Sequence, residues 1–204
     1  MKLAVFGGSF DPVHCGHLAV ADAARAALAP DLLLWVPARH APHKTDEPSA
    51  TAADRLVLLG IAVAGRPGEV VETLECERPG PSYTVDTLRA LGQRHPAAEL
   101  HLILGADSLL HLHTWRAVPE LLERASLALV PRPGSGPHDL DAFAARLPAA
   151  VRVLLRAQFL PMDEVAVSST EVRRRLCAGE PVDGLLPEAV RAEIARRGLY
   201  CPAS

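Results

Sequence analysis

Two histidines follow a glycine-rich turn near the start of the chain, within the segment Gly7–Leu18. His14 and His17 are three residues apart, so on the first turn of a helix they project from one side. Glycines let a backbone approach a phosphate closely, and a helix start offers unpaired N–H groups to an anion. We therefore predict that this segment binds phosphoryl groups through both imidazoles. The alternative is a tight turn followed by a chance pair of histidines.

Two further segments place polar groups at the predicted start of a helix. Ser168, Ser169 and Thr170 carry the hydroxyls that cap exposed helical N–H groups, and Arg173 follows in the first turn. Ser82–Thr84 precedes another helix, whose first backbone amides are suited to an anion such as a carboxylate. A simple helix cap is the alternative for both segments.

The histidines and cysteines do not form a metal-binding pattern. His14 and His17 have no third ligand nearby in the sequence. The other histidines that could suggest zinc fall in two separate segments without a neighbouring cysteine, namely His40, His43, His111 and His113. The 4 cysteines are far apart and lack a C-x-x-C pair, which is typical of a reducing cytosol: Cys15, Cys76, Cys177 and Cys201.

The 204-residue chain has an ordinary globular composition, with 49% hydrophobic and 22% charged residues. Its formal net charge is -3, whereas a nucleic-acid-binding domain is usually basic. Phosphate recognition must then be local, and we expect no nucleic-acid partner. No apolar stretch approaches the roughly 18 residues of a membrane span, and the chain does not start with a signal-peptide pattern. We expect a single cytoplasmic domain over residues 1–204.

Short apolar runs alternate with longer helical patterns, as in the βαβ units of a parallel sheet. The predicted strands are Lys2–Phe6, Leu32–Val36, Val70–Leu74, Leu100–Leu104, Leu127–Val130 and, as the last, Val151–Leu155. The predicted helices are Gly16–Leu28, Ala52–Val63, Thr84–Gln93, Pro119–Arg124, Ser168–Cys177 and Pro187–Arg197. This pattern predicts an α/β fold: a single Rossmann-like domain with an open, mainly parallel sheet and helices on both faces. Ligands of such folds bind beyond the carboxyl ends of the strands.

The segment Gly7–Leu18 resembles the GGxFDPxHxGH signature of the HxGH nucleotidyltransferase superfamily, whose members activate ATP at its α-phosphate. Other segments resemble, more narrowly, those of the bacterial nicotinate-mononucleotide adenylyltransferases: Pro42–Lys44, Gly80–Leu88, Gly105–Trp115 and Val167–Arg173. The resemblance is collinear from Lys2 to Tyr200, with departures at Ala41 and Asp183–Leu185. It implies transfer of AMP from ATP to nicotinate mononucleotide, giving deamido-NAD and pyrophosphate in NAD biosynthesis.

The resemblance also implies which residues contact ATP. The catalytic residues would be His14, His17, Lys44 and Arg173, with His17 nearest the α-phosphate. Without the resemblance, Lys44 would be interpreted as a solvated loop charge. The remaining ATP contacts would come from Gly7, Gly8, Ser9, Phe10, Ser168, Ser169 and Thr170. Mg²⁺ would accompany ATP, held mainly by phosphate oxygens and water, so no protein metal site is expected.

A second group of residues would bind the mononucleotide, namely Lys44, Tyr83, Thr84, Asp107, Trp115 and Arg132. Trp115 would stack on the pyridine ring, although a tryptophan is more often part of the core. The backbone amides at Tyr83 and Thr84 would accept the nicotinate carboxylate, which favours nicotinate over nicotinamide. Asp107 would bind a ribose hydroxyl or orient the mononucleotide, and Arg132 would contact a phosphate.

The nucleophile of this reaction is a phosphate monoester, whose second pKa of about 6 leaves it largely dianionic at neutral pH. Catalysis then consists of positioning two anions and stabilising charge, without a general base or a covalent intermediate. The alternatives are an adenylyltransferase for nicotinamide mononucleotide and a non-catalytic nucleotide sensor of the same fold. The expected partners are ATP and nicotinate mononucleotide, with no membrane, and family precedent makes a homo-oligomer plausible.

Overall fold

A computed structural model of the chain describes residues 1–40, 50–131, 136–163 and 165–200. These residues form a six-stranded sheet whose neighbouring strands are all parallel. The strands are β1 (Lys2–Gly8), β2 (Leu32–Pro37), β3 (Glu69–Val71), β4 (Glu99–Gly105), β5 (Ala125–Val130) and β6 (Ala157–Phe159). Their order across the sheet is β3-β2-β1-β4-β5-β6, which is that of a doubly wound sheet and confirms the predicted fold class.

Helices follow most of the strands and cover the sheet. Within the described residues they are α1 (Cys15–Leu28), α2 (Ala52–Val63), α3 (Leu74–Glu77), α4 (Thr84–Arg94), α5 (Leu109–Leu112), α6 (Val118–Arg124), α7 (Pro137–Arg146), α8 (Ala149–Arg152), α9 (Ser169–Ala178) and α10 (Glu188–Arg197). A 3₁₀ turn, Ala106–Ser108, precedes α5. In the part of the chain that is described, none of these helices has the length and apolar character to cross a membrane.

Each face of the sheet has its own buried core. Along β1, Ala4 and Phe6 belong to one core and Leu3 and Val5 to the other, because successive side chains of a strand point to opposite faces. The first core also contains residues of α1, α2, α9 and α10. The second contains residues of α4, α5, α6 and α7. The prediction of helices on both faces is therefore confirmed.

The strand register brings the ends of the central strands to one edge of the sheet. Gly8 at the end of β1 lies opposite Pro37 at the end of β2. On the other side, Phe6 of β1 lies opposite Ile103 of β4, so β4 ends two residues later at Gly105, close to the same edge. The chain runs from β1 to β2 and β3 on one side and then crosses to β4 on the other side of β1. This reversal of direction opens a crevice beyond these carboxyl ends.

The prediction of a last strand at Val151–Leu155 is wrong. Residues Ala149–Arg152 form α8, and the last strand is Ala157–Phe159. Val151, Leu154 and Leu155 pack on the second core, whereas Val153 is 81% exposed. This spacing buries one side of a helical turn, and a short apolar run does not distinguish that arrangement from a strand.

The third strand is shorter than the predicted Val70–Leu74. It spans Glu69–Val71, and Leu74 instead begins α3. β3 lies at the edge of the sheet, pairs only with β2 within the described residues, and leaves Val70 exposed. An edge strand with one partner has few ladder bonds to extend it, which accounts for its short length.

Candidate active site

A cavity of about 490 Å³ opens beyond the carboxyl ends of β1 and β4. Its described lining unites residues from both predicted substrate-binding groups: Gly7, Gly8, Ser9, His14, His17, Tyr83, Thr84, Asp107 and Trp115. The fold therefore brings the turn after β1, the start of α4 and the segment after β4 into one cavity. Each of these segments follows a strand or begins a helix. They lie close together because the carboxyl ends of parallel strands meet at one edge of the sheet.

The imidazoles of His14 and His17 stack on each other at the start of α1, with ring centroids 3.7 Å apart. His14 is the N-cap, and its Nδ1 accepts the backbone N–H of His17 at 3.3 Å. In return, Nδ1 of His17 accepts the backbone N–H of His14 at 3.2 Å. Because both Nδ1 atoms are acceptors, each neutral ring carries its proton on Nε2. The pair therefore presents Nε2–H donors, which suit the oxygens of a phosphate.

Gly16 gives the ring of His14 its space. A Cβ atom at Gly16 would lie 3.1 Å from the Cε1 and Nδ1 atoms of that imidazole. Such a contact is closer than ordinary van der Waals packing, so any larger residue would press on the ring. The glycine between the two histidines thus has a steric reason, in addition to its place at the start of a helix.

Phe10 supports the turn from the core side. Its side chain is 1% exposed, and its ring packs edge-on against Phe6, His17 and Trp35. The same ring would meet a Cβ atom at Gly8 at 2.9 Å, so Gly8 is the residue that lets Phe10 fold under the turn. Phe10 was predicted to contact ATP, but its ring is not among the described residues that line the cavity.

The start of α9 docks on the turn that follows β1. Ser168 is the N-cap of α9, and its hydroxyl accepts the backbone N–H of Glu171 at 3.2 Å, so the predicted cap is confirmed. The hydroxyl of Ser169 donates to the carbonyl of Pro12 at 3.0 Å. These contacts place the start of α9, which is the positive end of its dipole, beside the turn that follows β1 and leads to His14 and His17. We call this segment, residues 9–17, the histidine turn.

Arg173 is held against the same turn. Its Nη1 donates to the carbonyl of Asp11 at 2.7 Å and lies 3.7 Å from the Asp11 carboxylate. Ser168, Ser169, Thr170 and Arg173 are not among the described lining residues, whereas Val165 and Val167 of the preceding segment are. The predicted α9 residues thus lie next to the cavity and hold its wall, and their contacts with ATP stay predictions.

Asp11 joins the histidine turn to distant parts of the chain, a role that the sequence analysis missed. This carboxylate is 4% exposed and accepts the backbone N–H of Ala50 at 3.1 Å and the hydroxyl of Tyr200 at 2.9 Å. Burial and the nearby Asp11 charge raise the pKa of Tyr200 well above its usual value, which keeps this hydroxyl a donor. The only sequence signal was that Asp11 and Tyr200 both fall in segments of the family resemblance.

Arg55 is a second supporting residue that the sequence analysis missed. It is 1% exposed, and its Nη1 donates to the carbonyls of Ser9 at 2.7 Å and Ala38 at 2.8 Å. Its Nε also donates to the carbonyl of Ala50 at 3.3 Å. One guanidinium therefore ties the end of β1 to the segment after β2, because its planar fork can donate to several carbonyls at once.

The start of α4 forms another wall of the cavity, lined by Tyr83 and Thr84. Tyr83 is its N-cap and makes no side-chain cap hydrogen bond, so the first amides of α4 are not capped by that residue. Ser82 fastens this wall to the segment after β2, since its backbone N–H donates to the carbonyl of His40 at 2.9 Å. Glu75 accepts the hydroxyl of Thr87 at 2.5 Å, and burial raises the pKa of this carboxyl.

Arg116 also lines the cavity and was not singled out from the sequence, although it directly follows Trp115. Its guanidinium carbon lies 4.7 Å from the centroid of the Tyr83 ring. Lys44 and Arg132, two predicted ligands of phosphates, lie outside the described residues. Among residues that are described, no group of three or more His, Cys, Asp or Glu side chains could hold a metal ion.

Comparison with known proteins yields a family match and close relatives. Residues 5–175 match the cytidylyltransferase-like family model. A Gloeobacter violaceus protein named "probable nicotinate-nucleotide adenylyltransferase" is 43% identical over 202 residues, covering 98% of this chain and 96% of that one. A Thermus thermophilus protein of the same name is 44% identical over 200 residues, covering 98% of this chain and all of its own (100%).

Solved structures share the fold. The nicotinic acid mononucleotide adenylyltransferase of Plasmodium falciparum, complexed with NaAD, superposes with a TM-score of 0.77 at 16% identity and covers 98% of this chain and 97% of its own. The same protein complexed with APC gives a TM-score of 0.75. Because the similarity in sequence to the bacterial relatives extends over almost the whole chain, this protein belongs to the nicotinate-nucleotide adenylyltransferase family.

Proposed function

We propose that this chain transfers the AMP part of ATP to nicotinate mononucleotide, forming nicotinate adenine dinucleotide (deamido-NAD) and pyrophosphate. The observation that carries the proposal is a single cavity with a stacked histidine pair on one wall and Tyr83, Thr84 and Trp115 on another. Such a cavity offers phosphate donors and an aromatic pyridine contact to two nucleotides at once. Relatives that are 43% and 44% identical carry the name of this activity.

The cavity wall formed by His14 and His17 would bind the reacting phosphates. Nε2–H groups of His14 and His17 donate to oxygens of the α-phosphate, where negative charge increases in the transition state. Gly7 and Gly8 allow the backbone to approach the triphosphate, and the positive end of α1 adds to the attraction. Fixed donors of this kind are already oriented before the reaction, so little reorganisation is needed.

The bond change occurs at the α-phosphorus. An oxygen of the mononucleotide phosphate attacks this atom, and the bond from the α-phosphorus to the bridging oxygen of pyrophosphate breaks. The attacking phosphate is already largely dianionic at neutral pH, so no side chain has to remove a proton. The histidines therefore serve as hydrogen-bond donors that position and stabilise, and not as bases.

The wall at the start of α4 would hold the mononucleotide. Trp115 stacks on the pyridine ring, and the first amides of α4, at Tyr83 and Thr84, face its carboxylate. Asp107 accepts a hydrogen bond from a ribose hydroxyl. We assign Lys44 and Arg132 to phosphate contacts on the basis of the family resemblance alone.

Arg173 and the start of α9 would stabilise the triphosphate from the side of the histidine turn. The contacts of Arg173 with Asp11 and of Ser169 with Pro12 support this assignment, because they hold α9 against that turn. The hydroxyls of Ser168 and Thr170 would add hydrogen bonds as ATP binds. This arrangement would assist the departure of pyrophosphate by neutralising its charge.

Mg²⁺ would bind with ATP, held mainly by phosphate oxygens and water. Among the described residues that line the cavity, the carboxylates are Glu75 and Asp107, and Glu75 is engaged with Thr87. This donor set suits a cation that brings most of its oxygen ligands from the nucleotide. When bound, the ion would supply charge neutralisation for the leaving pyrophosphate.

The test is pyrophosphate release with Mg-ATP and either nicotinate or nicotinamide mononucleotide. We expect release to depend on the mononucleotide and to be faster with nicotinate mononucleotide. ATP without a mononucleotide is the control and should give no release. Equal or reversed preference would retain an adenylyltransferase but reject the carboxylate contact, whereas ATP binding without release from either mixture would favour a nucleotide sensor.

A further inference from the structure

We propose that the guanidinium of Arg116 makes this cavity selective for an anionic pyridine ring by pairing with the carboxylate of the bound mononucleotide. The inference rests on the proposed function, because it concerns the second substrate of that reaction. It assigns selectivity to a side chain, in addition to the backbone amides at the start of α4.

Arg116 lies at the pyridine end of the cavity. It follows Trp115 directly, and its guanidinium carbon is 4.7 Å from the centroid of the Tyr83 ring. Tyr83 in turn is the N-cap of α4. The guanidinium of Arg116 is thus stacked on Tyr83, next to the α4 amides that would bind the carboxylate. Arg116 and Tyr83 both line the cavity.

The charges around the cavity give Arg116 its importance. Among the described residues that line the cavity, it is the only one with a permanently positive side chain. The carboxylates of Glu75 and Asp107 line the same cavity and would repel an anionic ring when ionised. The positive charge of Arg116 opposes this repulsion.

The contacts of Arg116 orient its guanidinium and still allow it to bind a ligand. Its Nη1 lies 3.8 Å from Oδ2 of Asp86, which is longer than a hydrogen bond. Asp86 is hydrogen-bonded instead to Arg89, at 2.6 Å. The side chain of Arg116 is 57% exposed, so it can turn by a small angle toward the cavity. A planar guanidinium pairs well with a carboxylate because two of its N–H groups match the two oxygens.

The geometry of the substrate distinguishes the carboxylate from the phosphate as the partner of Arg116. The mononucleotide phosphate must reach the α-phosphorus of ATP, which we place beside His17. The pyridine carboxylate is at the other end of the mononucleotide, beside Trp115. A group that is stacked on Tyr83 therefore faces the carboxylate end of the substrate.

Arg116→Gln tests this assignment through the ratio of kcat/KM for nicotinate mononucleotide to kcat/KM for nicotinamide mononucleotide. We expect kcat/KM for nicotinate mononucleotide to fall about tenfold, in the range of a partly exposed charged hydrogen bond, with little change for nicotinamide mononucleotide. Arg116→Lys, which retains the charge, should recover part of the ratio. Equilibrium binding of the two mononucleotides gives the same ratio independently of turnover.

Arg89→Gln is the matched control. Arg89 also contacts Asp86 and is half-exposed, but it is not among the described residues that line the cavity. Its substitution should leave the ratio unchanged. An unchanged ratio in Arg116→Gln, or an equal loss for both mononucleotides, would overturn the inference. Failure of the wild-type protein to release pyrophosphate would instead reject the proposed function, and the binding ratio would still test Arg116.

Discussion

His14 makes two contacts that together fix the position of its ring. It caps α1 through Nδ1 and is buried beneath its partner ring, so its tautomer and its orientation are both set before a nucleotide binds. His17 completes the pair by accepting the backbone N–H of His14. The same contacts that begin the helix therefore also direct the Nε2–H donors, and this coupling can be tested by replacing one nitrogen at a time.

Substitutions of His17 separate its two ring nitrogens. Asparagine can replace Nδ1 as acceptor but has no group at the position of Nε2, whereas glutamine places its amide N–H near that position. We expect His17→Asn to lower kcat by at least about 100-fold, the usual loss for one oriented donor, with near-normal stability. His17→Gln should retain more activity than His17→Asn. Near-normal turnover of His17→Asn would refute the donor role of Nε2.

Gly16→Ala should displace the ring of His14. The new Cβ atom would lie 3.1 Å from two ring atoms, so we expect kcat to fall by about tenfold through a small misplacement of the donor. Gly60→Ala in α2 is the matched control, because a Cβ atom there meets no atom within 4 Å. It should retain full activity and gain about 0.5–1 kcal/mol of unfolding free energy. Equal activity of the two variants would contradict the steric role of Gly16.

At the scale of elements, α3 and α4 are joined by a buried carboxyl group. Glu75 of α3 accepts the hydroxyl of Thr87 in α4, and Ser82 before α4 contacts the segment after β2. These contacts fix where α4 begins, and α4 begins where we place the pyridine carboxylate. These contacts require the carboxyl group of Glu75 to be buried, and burial opposes its ionisation.

The raised pKa of the buried Glu75 carboxyl predicts how the free energy of unfolding depends on pH. Because burial raises the pKa of Glu75 above 4.5 in the folded state, the folded protein holds more protons than the unfolded chain just above that pH. Its free energy of unfolding should then decrease as pH rises through this window. Glu75→Gln does not titrate, so its stability relative to the wild type, measured by urea denaturation, should increase as pH rises above about 5.

Glu171→Gln provides the control for this pH dependence. Hydrogen bonds from Arg174 and Arg175 hold the pKa of Glu171 at about 2, so this carboxyl is ionised throughout the same range in the folded state. The difference in stability between Glu171→Gln and the wild type should stay constant above about pH 5. A constant difference for Glu75→Gln as well would contradict the buried position of that carboxyl.

The elements could be predicted from the sequence where hydrophobic periodicity is long. The helices at Ala52–Val63 and near Thr84–Gln93 match the predicted spans closely. The segment Val151–Leu155 could not be assigned in this way, because a five-residue apolar run satisfies both a strand and one helical turn. Its conformation depends on packing against the second core, which no local pattern records.

At the scale of the whole molecule, the last residues of the described chain stabilise the first turn. Tyr200 donates to Asp11, and Arg197 of α10 pairs with Asp54 of α2 at 2.8 Å. These two contacts hold residues 197–200 against α2 and against the turn that follows β1. Contacts between residues this distant in the sequence have no local signature, so neither Asp11–Tyr200 nor Arg55–Ser9 could be predicted. A homo-oligomer and a cytoplasmic location stay predictions.

Tyr200→Phe should remove one donor from the buried Asp11 carboxylate. We expect a loss of about 1–3 kcal/mol of unfolding free energy, because the carboxylate remains buried with one fewer partner. A double-mutant cycle with Asp11→Ala, measured by urea denaturation, isolates this contact, because alanine has no acceptor for the Tyr200 hydroxyl. Strictly additive effects of the two substitutions would contradict a direct hydrogen bond.

The sequence could predict that the ATP-binding and mononucleotide-binding residues lie in one site, because parallel strands bring their carboxyl ends to one edge of the sheet. The sequence could not predict which side chains support the cavity or which charged side chain lines it. Arg116 is a single arginine without any periodic or spacing signal, and its place is revealed by its stacking on Tyr83 and its position in the cavity lining. The structure thus adds the supporting contacts around residues that the sequence had already placed at the strand ends.

The most direct test of the account follows the α-phosphate of ATP. ATP labelled at the α-phosphorus is incubated with Mg²⁺, nicotinate mononucleotide and the protein, and the products are separated by chromatography. We predict that the label appears in nicotinate adenine dinucleotide and that pyrophosphate forms in an equal molar amount. Label that remains in ATP, or that appears in free AMP without a dinucleotide, would contradict adenylyl transfer as the function of this cavity.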